Sequence, residues 1–114
     1  MGMAEESLDQ VSQTLKLLGD KTRLTMMKLL DDQECCVCEL VEIFKTSQPS
    51  VSQHLRKLKD AGLVKENRKG QWIFYSVNHN SPQNALIQSL IAQVPSQTHQ
   101  IKELEQKGLR ISCE

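Results

Sequence analysis

Residues Glu34–Lys59 read ECCVCELVEIFKTSQPSVSQHLRKLK. In the second half, Val51, Leu55 and Leu58 recur at i, i+4 and i+7, the spacing of one buried helix face. Thr46 or Ser47 can cap that helix, and Pro49 is tolerated in a first turn, where its missing N–H costs nothing. The side chains left outside are Ser47, Gln48, Ser50, Ser52, Gln53, His54, Arg56 and Lys57, with no acidic residue from Gln48 to Lys59. An ordinary solvated helix more often carries glutamates on its outer face. Amides and hydroxyls that match base edges, with Arg and Lys for guanine or phosphate, are the set a major-groove helix uses. Thr46–Pro49 is then the turn of a helix-turn-helix, and Gln48–Lys59 its recognition helix. Directly upstream stand three thiols in four positions, Cys35, Cys36 and Cys38.

The chain around this stretch is short, 114 residues, enough for one domain with a single aliphatic core. Its start has neither a basic nor an apolar leader region, and no apolar run approaches a membrane span, so a cytoplasmic location with no membrane partner is expected. Net charge is zero, yet Phe44–Trp72 holds seven basic residues against two acidic ones, and the compensating negative charge lies before residue 43. A local basic stretch of this kind is the footprint that phosphate binding needs. Three of the four cysteines crowd together in a chain expected to stay reduced, which favours metal or redox chemistry over a disulfide framework.

Before the central stretch, Leu8, Val11, Leu15 and Leu18 make one apolar stripe on a helix over about 5–18. Gly19 ends it, Asp20 caps a second helix over about 21–30, and a third, short helix is expected from about Cys36 to Phe44. After the recognition helix, Leu63–Arg68 and Gln71–Val77 alternate as strands, with Arg68, Lys69 and Gly70 as the turn between them. A basic-tipped hairpin in that position is a wing, and Arg68 and Lys69 are its candidate DNA contacts. The final apolar pattern runs over about 82–107, interrupted by Pro95, which should kink or split it. So small a core cannot absorb both terminal stripes, which makes them candidates for a dimer interface. The expected fold is mainly α with a small β-hairpin: one winged helix-turn-helix domain over 1–114, with helical dimerisation elements at both termini. A two-fold dimer matches pseudo-palindromic double-stranded operator DNA.

Over roughly residues 14–78, LGDKTRLTMMKLL, the Cys-Val-Cys run, TSQPSVSQHLRKLKDAGLV and RKGQWIFYSVN together resemble the ArsR/SmtB family of metal-responsive winged-helix repressors. The resemblance implies a homodimer that represses its own resistance operon and releases DNA when metal binds. Cys36-Val37-Cys38-Glu39-Leu40 is similar to the arsenic-sensing branch, whose inducer is arsenite or antimonite, with no organic cofactor. That branch often has a third cysteine where Val41 stands here, and Cys35 precedes the pair instead. Three thiolates suit arsenite, so Cys35, Cys36 and Cys38 are the candidate ligands, with Cys113 a further one.

On a helix turning ~100° per residue, Cys36 and Cys38 diverge by about 200°, so gathering the thiols should unwind or displace the first turn of the third helix. Thiolates also suit cadmium, lead or zinc. The zinc pattern of the family's last helix is missing, since Val77 precedes His79 by two and Lys102 follows His99 by three. Both histidines are expected to be solvated. A thiol redox sensor on the same fold is the rival reading. A redox enzyme would want a parallel sheet, and a hydrolase a nucleophile, base and pocket together, so no enzyme is expected.

Overall fold

The computed structural model describes residues 2–110, with side chains from residue 8 onward. Nine elements follow in order: α1 (Gly2–Leu18), α2 (Lys21–Asp32), β1 (Cys35–Cys36), α3 (Val37–Phe44), α4 (Gln48–Asp60), β2 (Val64–Lys69), β3 (Trp72–Val77), α5 (Asn84–Ile91) and α6 (Thr98–Gln106). The winged helix-turn-helix is there as expected, as α3, α4 and the β2–β3 hairpin.

Local chemistry accounts for the joints. Asp20 caps α2 through its Oδ1, which accepts the Arg23 backbone N–H at 3.1 Å. Ser47 Oγ does the same for the Ser50 N–H at 3.3 Å and opens α4, with Pro49 in the first turn. Gly62, at φ +76°, closes α4: the Leu63 N–H reaches back to the Leu58 carbonyl at 2.9 Å, a Schellman-type closure that favours glycine. Under α4, Val51, Leu55 and Leu58 are buried at the expected spacing, packed with Met26, Met27, Leu29, Leu30, Leu40 and Leu63.

Three features differ from the sequence reading. Cys35 and Cys36 are not at the head of the third helix; they form a short strand that adds to the wing sheet. The sheet has three strands in the order β1-β3-β2, both pairings antiparallel, with Cys35 opposite Tyr75 and Cys36 opposite Phe74. The reason is that Gln33 caps α2 and Cys36 caps α3, both in extended backbone, so the chain runs extended from one helix to the next. The hairpin turn also lies one residue later: Lys69 pairs with Trp72, leaving Gly70 (φ +63°) and Gln71 as the loop, with Arg68 and Lys69 in β2. Finally, the last pattern is split in two as Pro95 suggested, but its second half packs inside the chain. α5 ends at Ile91 ahead of Pro95, and α6 folds back on α3, where Ile101 and Leu104 are buried within the chain. What remains uncovered of the terminal stripes is α1, with Leu8 at 68% and Leu15 at 48% exposure.

Urea unfolding should separate packing from capping in α4. Leu55→Ala is expected to cost about 2–5 kcal/mol, and Ser47→Ala about 1 kcal/mol.

Candidate DNA-reading face and thiol site

α4 presents Gln48, Ser52, Gln53, Arg56 and Lys57 to solvent, with Ser50 and His54 half-buried at the edge of the same face. Ser47 is exposed, but its hydroxyl is engaged as the cap of the helix. Arg56 is loosely paired with Asp60 at 3.9 Å, both side chains largely in water, so the guanidinium is available to a phosphate or base. Arg68 is exposed on the wing. Lys69 is placed differently: its ammonium meets the Glu34 carboxylate and lies 5.4 Å from the centroid of the Phe74 ring. It braces the wing against the residue that precedes the thiols. The other end of the sheet is braced on α4, where Glu66 accepts from Lys59 Nζ at 2.6 Å and from the Tyr75 hydroxyl at 2.8 Å. Those bonds hold the Glu66 carboxyl below its ordinary range, and the Lys59 hydrogen bond contributes most.

Strand alternation sends the Cys35 and Cys36 side chains to opposite faces of β1. Both are buried, Cys35 at 0% and Cys36 at 2%, whereas Cys38, in the first turn of α3, is exposed. Cys35 belongs to the main core. Burial, reinforced by the Glu39 charge, pushes its thiol up to about 12, with Arg110 opposing. Burial likewise raises Cys36 to about 11, against the Glu39 backbone N–H that faces its sulfur. Among the described residues, no three Cys, His, Asp or Glu side chains stand together as a metal cage. The three thiols are neighbours in sequence and are not yet gathered in space. Cys113 lies outside the described residues.

What surrounds them could not be read from residue order. Glu39, fully buried, accepts the Cys36 backbone N–H at 2.9 Å in a capping box and receives Arg110 Nη1 at 2.8 Å. Arg110 Nη1 also lies 3.8 Å from Cys35 Sγ, while its Nη2 donates to the Gln33 side chain at 2.7 Å and to the Glu34 carbonyl at 3.1 Å. One guanidinium thus fastens the end of the chain over the α2–β1–α3 corner. A fork of planar donors suits that task, and a lysine would not replace it. The acid that follows the Cys-x-Cys pair was visible in sequence; its partner, 71 residues away, was not. His79, expected to be solvated, is exposed but meets Asp31 Oδ1 at 3.1 Å.

Residues 20–66 match the family model described as bacterial regulatory protein, arsR family. The arsenical resistance operon repressor of Bacillus subtilis is 37% identical over 86 residues, which span 75% of this chain and 82% of that one. The chain belongs to the ArsR/SmtB family. The arsenic resistance transcriptional regulator ArsR1 of Pseudomonas putida is 44% identical over 69 residues; the match spans 60% of this chain and only 54% of that longer one. Among solved structures, reduced HlyU from Vibrio cholerae superposes with a TM-score of 0.70 at 29% identity, covering 82% of this chain and 98% of that one. Members of this ArsR/SmtB group are DNA-binding transcriptional regulators, not enzymes. No described helix is long and apolar enough to cross a membrane.

Two outcomes follow from the thiol corner. Arg110→Gln removes the guanidinium that meets the buried Glu39 carboxylate and should lower stability in urea by about 3 kcal/mol, part of which Glu39→Gln restores in the same chain. The folded state holds the Cys35 thiol protonated, so its contribution is complete below pH 9.0, where the unfolded thiol begins to ionise, and fades as pH rises towards about 12. Melting temperature should therefore fall across that window, and less steeply in Cys35→Ala.

Proposed function

We propose that this protein is a cytoplasmic, homodimeric repressor of an arsenic-resistance operon, released from pseudo-palindromic operator DNA when arsenite or antimonite binds Cys35, Cys36 and Cys38. Relatives in Bacillus subtilis, Staphylococcus aureus and Escherichia coli are named arsenical resistance operon repressors, in keeping with this reading. The observation that carries it is the place of the thiols: two of the three form a strand hydrogen-bonded to the wing. DNA contacts are Ser47, Gln48, Ser50, Ser52, Gln53, His54, Arg56 and Lys57 on α4, with Arg68 and Lys69 on the wing. The exposed stripe of α1, Leu8 and Leu15, supports pairing of two copies.

Release follows from the alternation of β1. One arsenic atom cannot meet sulfurs on opposite faces of a strand, so gathering Cys35 and Cys36 with Cys38 pulls β1 off β3. Tyr75, opposite Cys35, is bound through Glu66 to Lys59 at the end of α4. Loss of β1 therefore loosens wing and recognition helix together, and the ligand favours the state that holds DNA poorly. This replaces the unwinding of α3 expected when Cys35 and Cys36 were placed on a helix. Cys113 is held in reserve as a fourth thiol. The burial of Cys35 and Cys36 weighs against a redox sensor, whose cysteine needs thiolate character and access.

The test uses a duplex selected from a randomised pool by the wild-type protein, read by fluorescence anisotropy with a phosphine reductant in excess. Arsenite should weaken binding about ten- to hundredfold. Cys35→Ser, Cys36→Ser and Cys38→Ser should each bind DNA and ignore arsenite, and Cys113→Ser decides the fourth thiol. Indifference to arsenite with a response to cadmium, lead, zinc or oxidant would remove the arsenic assignment and leave the DNA-reading role in place.

A further inference from the structure

His54 sits in the middle of α4, and its Nδ1 is 3.2 Å from Nη1 of Arg23, near the start of α2. An arginine only donates, so Nδ1 must accept, and the ring is then neutral with its proton on Nε2. The same guanidinium is anchored on its other side, where Nε donates to the Leu17 carbonyl at the end of α1 at 2.7 Å. Its own backbone N–H is held by Asp20 Oδ1 at 3.1 Å, which fixes the start of α2 beside the ring. The ring is thus held from two elements, Arg23 at the α1–α2 corner and the α4 backbone, and His54 is half-buried rather than free in solvent.

We infer that Arg23 is a positioning residue for DNA recognition: it locks His54 as an Nε2–H donor aimed outward from the recognition helix. A donor in that place selects for an acceptor, such as a guanine N7 or O6, a thymine O4 or a phosphate oxygen. A free histidine would offer either tautomer, and a protonated one would face the Arg23 charge. The lock also ties the reading helix to the end of α1, so the angle between them is fixed by a side chain as well as by packing. The inference rests on the assignment of α4 to the DNA-reading face.

Two measurements test it. In the free protein, labelled with 15N at histidine, the long-range 1H–15N spectrum at neutral pH should show His54 as the single Nε2–H tautomer, and Arg23→Lys should return it to a mixture. On the selected duplex, Arg23→Lys should weaken binding about tenfold in the wild-type background and hardly at all in His54→Ala. His54→Gln, whose amide can offer its oxygen to Arg23 and an N–H outward, should bind better than His54→Ala. Thermal melting of each variant separates a folding defect from loss of the lock. A tautomer mixture in the wild type, or additive losses for Arg23 and His54, would overturn the inference. A wild-type protein that selects no duplex at all would instead overturn the DNA-reading assignment, while the tautomer result would still stand.

Discussion

Two backbone pairings, Cys35 with Tyr75 and Cys36 with Phe74, join the thiols to the wing. Without them the cysteines would be a linker between α2 and α3, and the hairpin would be a two-stranded ribbon of marginal stability. With them, the sheet has a central strand, β3, which carries Phe74 and Val77 into the interior and Tyr75 towards Glu66. A two-residue strand holds few backbone hydrogen bonds, and burial of Cys35 and Cys36 with the Arg110 clamp supplies the rest of its hold. So short a strand is a suitable element to yield to a ligand while the rest of the domain stays folded.

Charge is partitioned along the same line. Basic residues dominate from Phe44 to Trp72, and the acids gather before residue 43, where Glu34 and Glu39 flank the cysteines. Glu34 and Glu66 each take a lysine that would otherwise point at solvent, Lys69 and Lys59. Two of the seven basic side chains in that stretch are therefore closely paired within the fold, which leaves Lys45, Arg56, Lys57, Lys65 and Arg68 outside such pairs.

Most of the architecture was legible in the sequence because its signals are local. The Val51-Leu55-Leu58 stripe, the Asp20 and Ser47 caps and the glycine at 70 each act within a few residues. The β1 strand was not legible: two residues show no alternation, and their extended form follows from caps on both sides and from a partner about forty residues later. The surroundings of the thiols escaped for the same reason. Glu39 looked like an ordinary first-turn acid and Arg110 like a tail residue until the fold brought them together. His54 was readable as an outer-face residue of the recognition helix and Arg23 was not singled out; only the packing of α2 against α4 pairs them.

Arg110 meets Cys35 across 75 residues of chain. A ribosome adding roughly 5–20 residues per second makes Cys35 several seconds before it makes Arg110. The wing strand that pairs with β1 also emerges later. Each new molecule therefore passes through a period in which its thiols are made and their cover is not. Until β3 and Arg110 are in place Cys35 stands open to solutes; once they are, it is buried. Newly made and mature copies thus differ in how readily a reagent reaches that sulfur, with no difference in sequence.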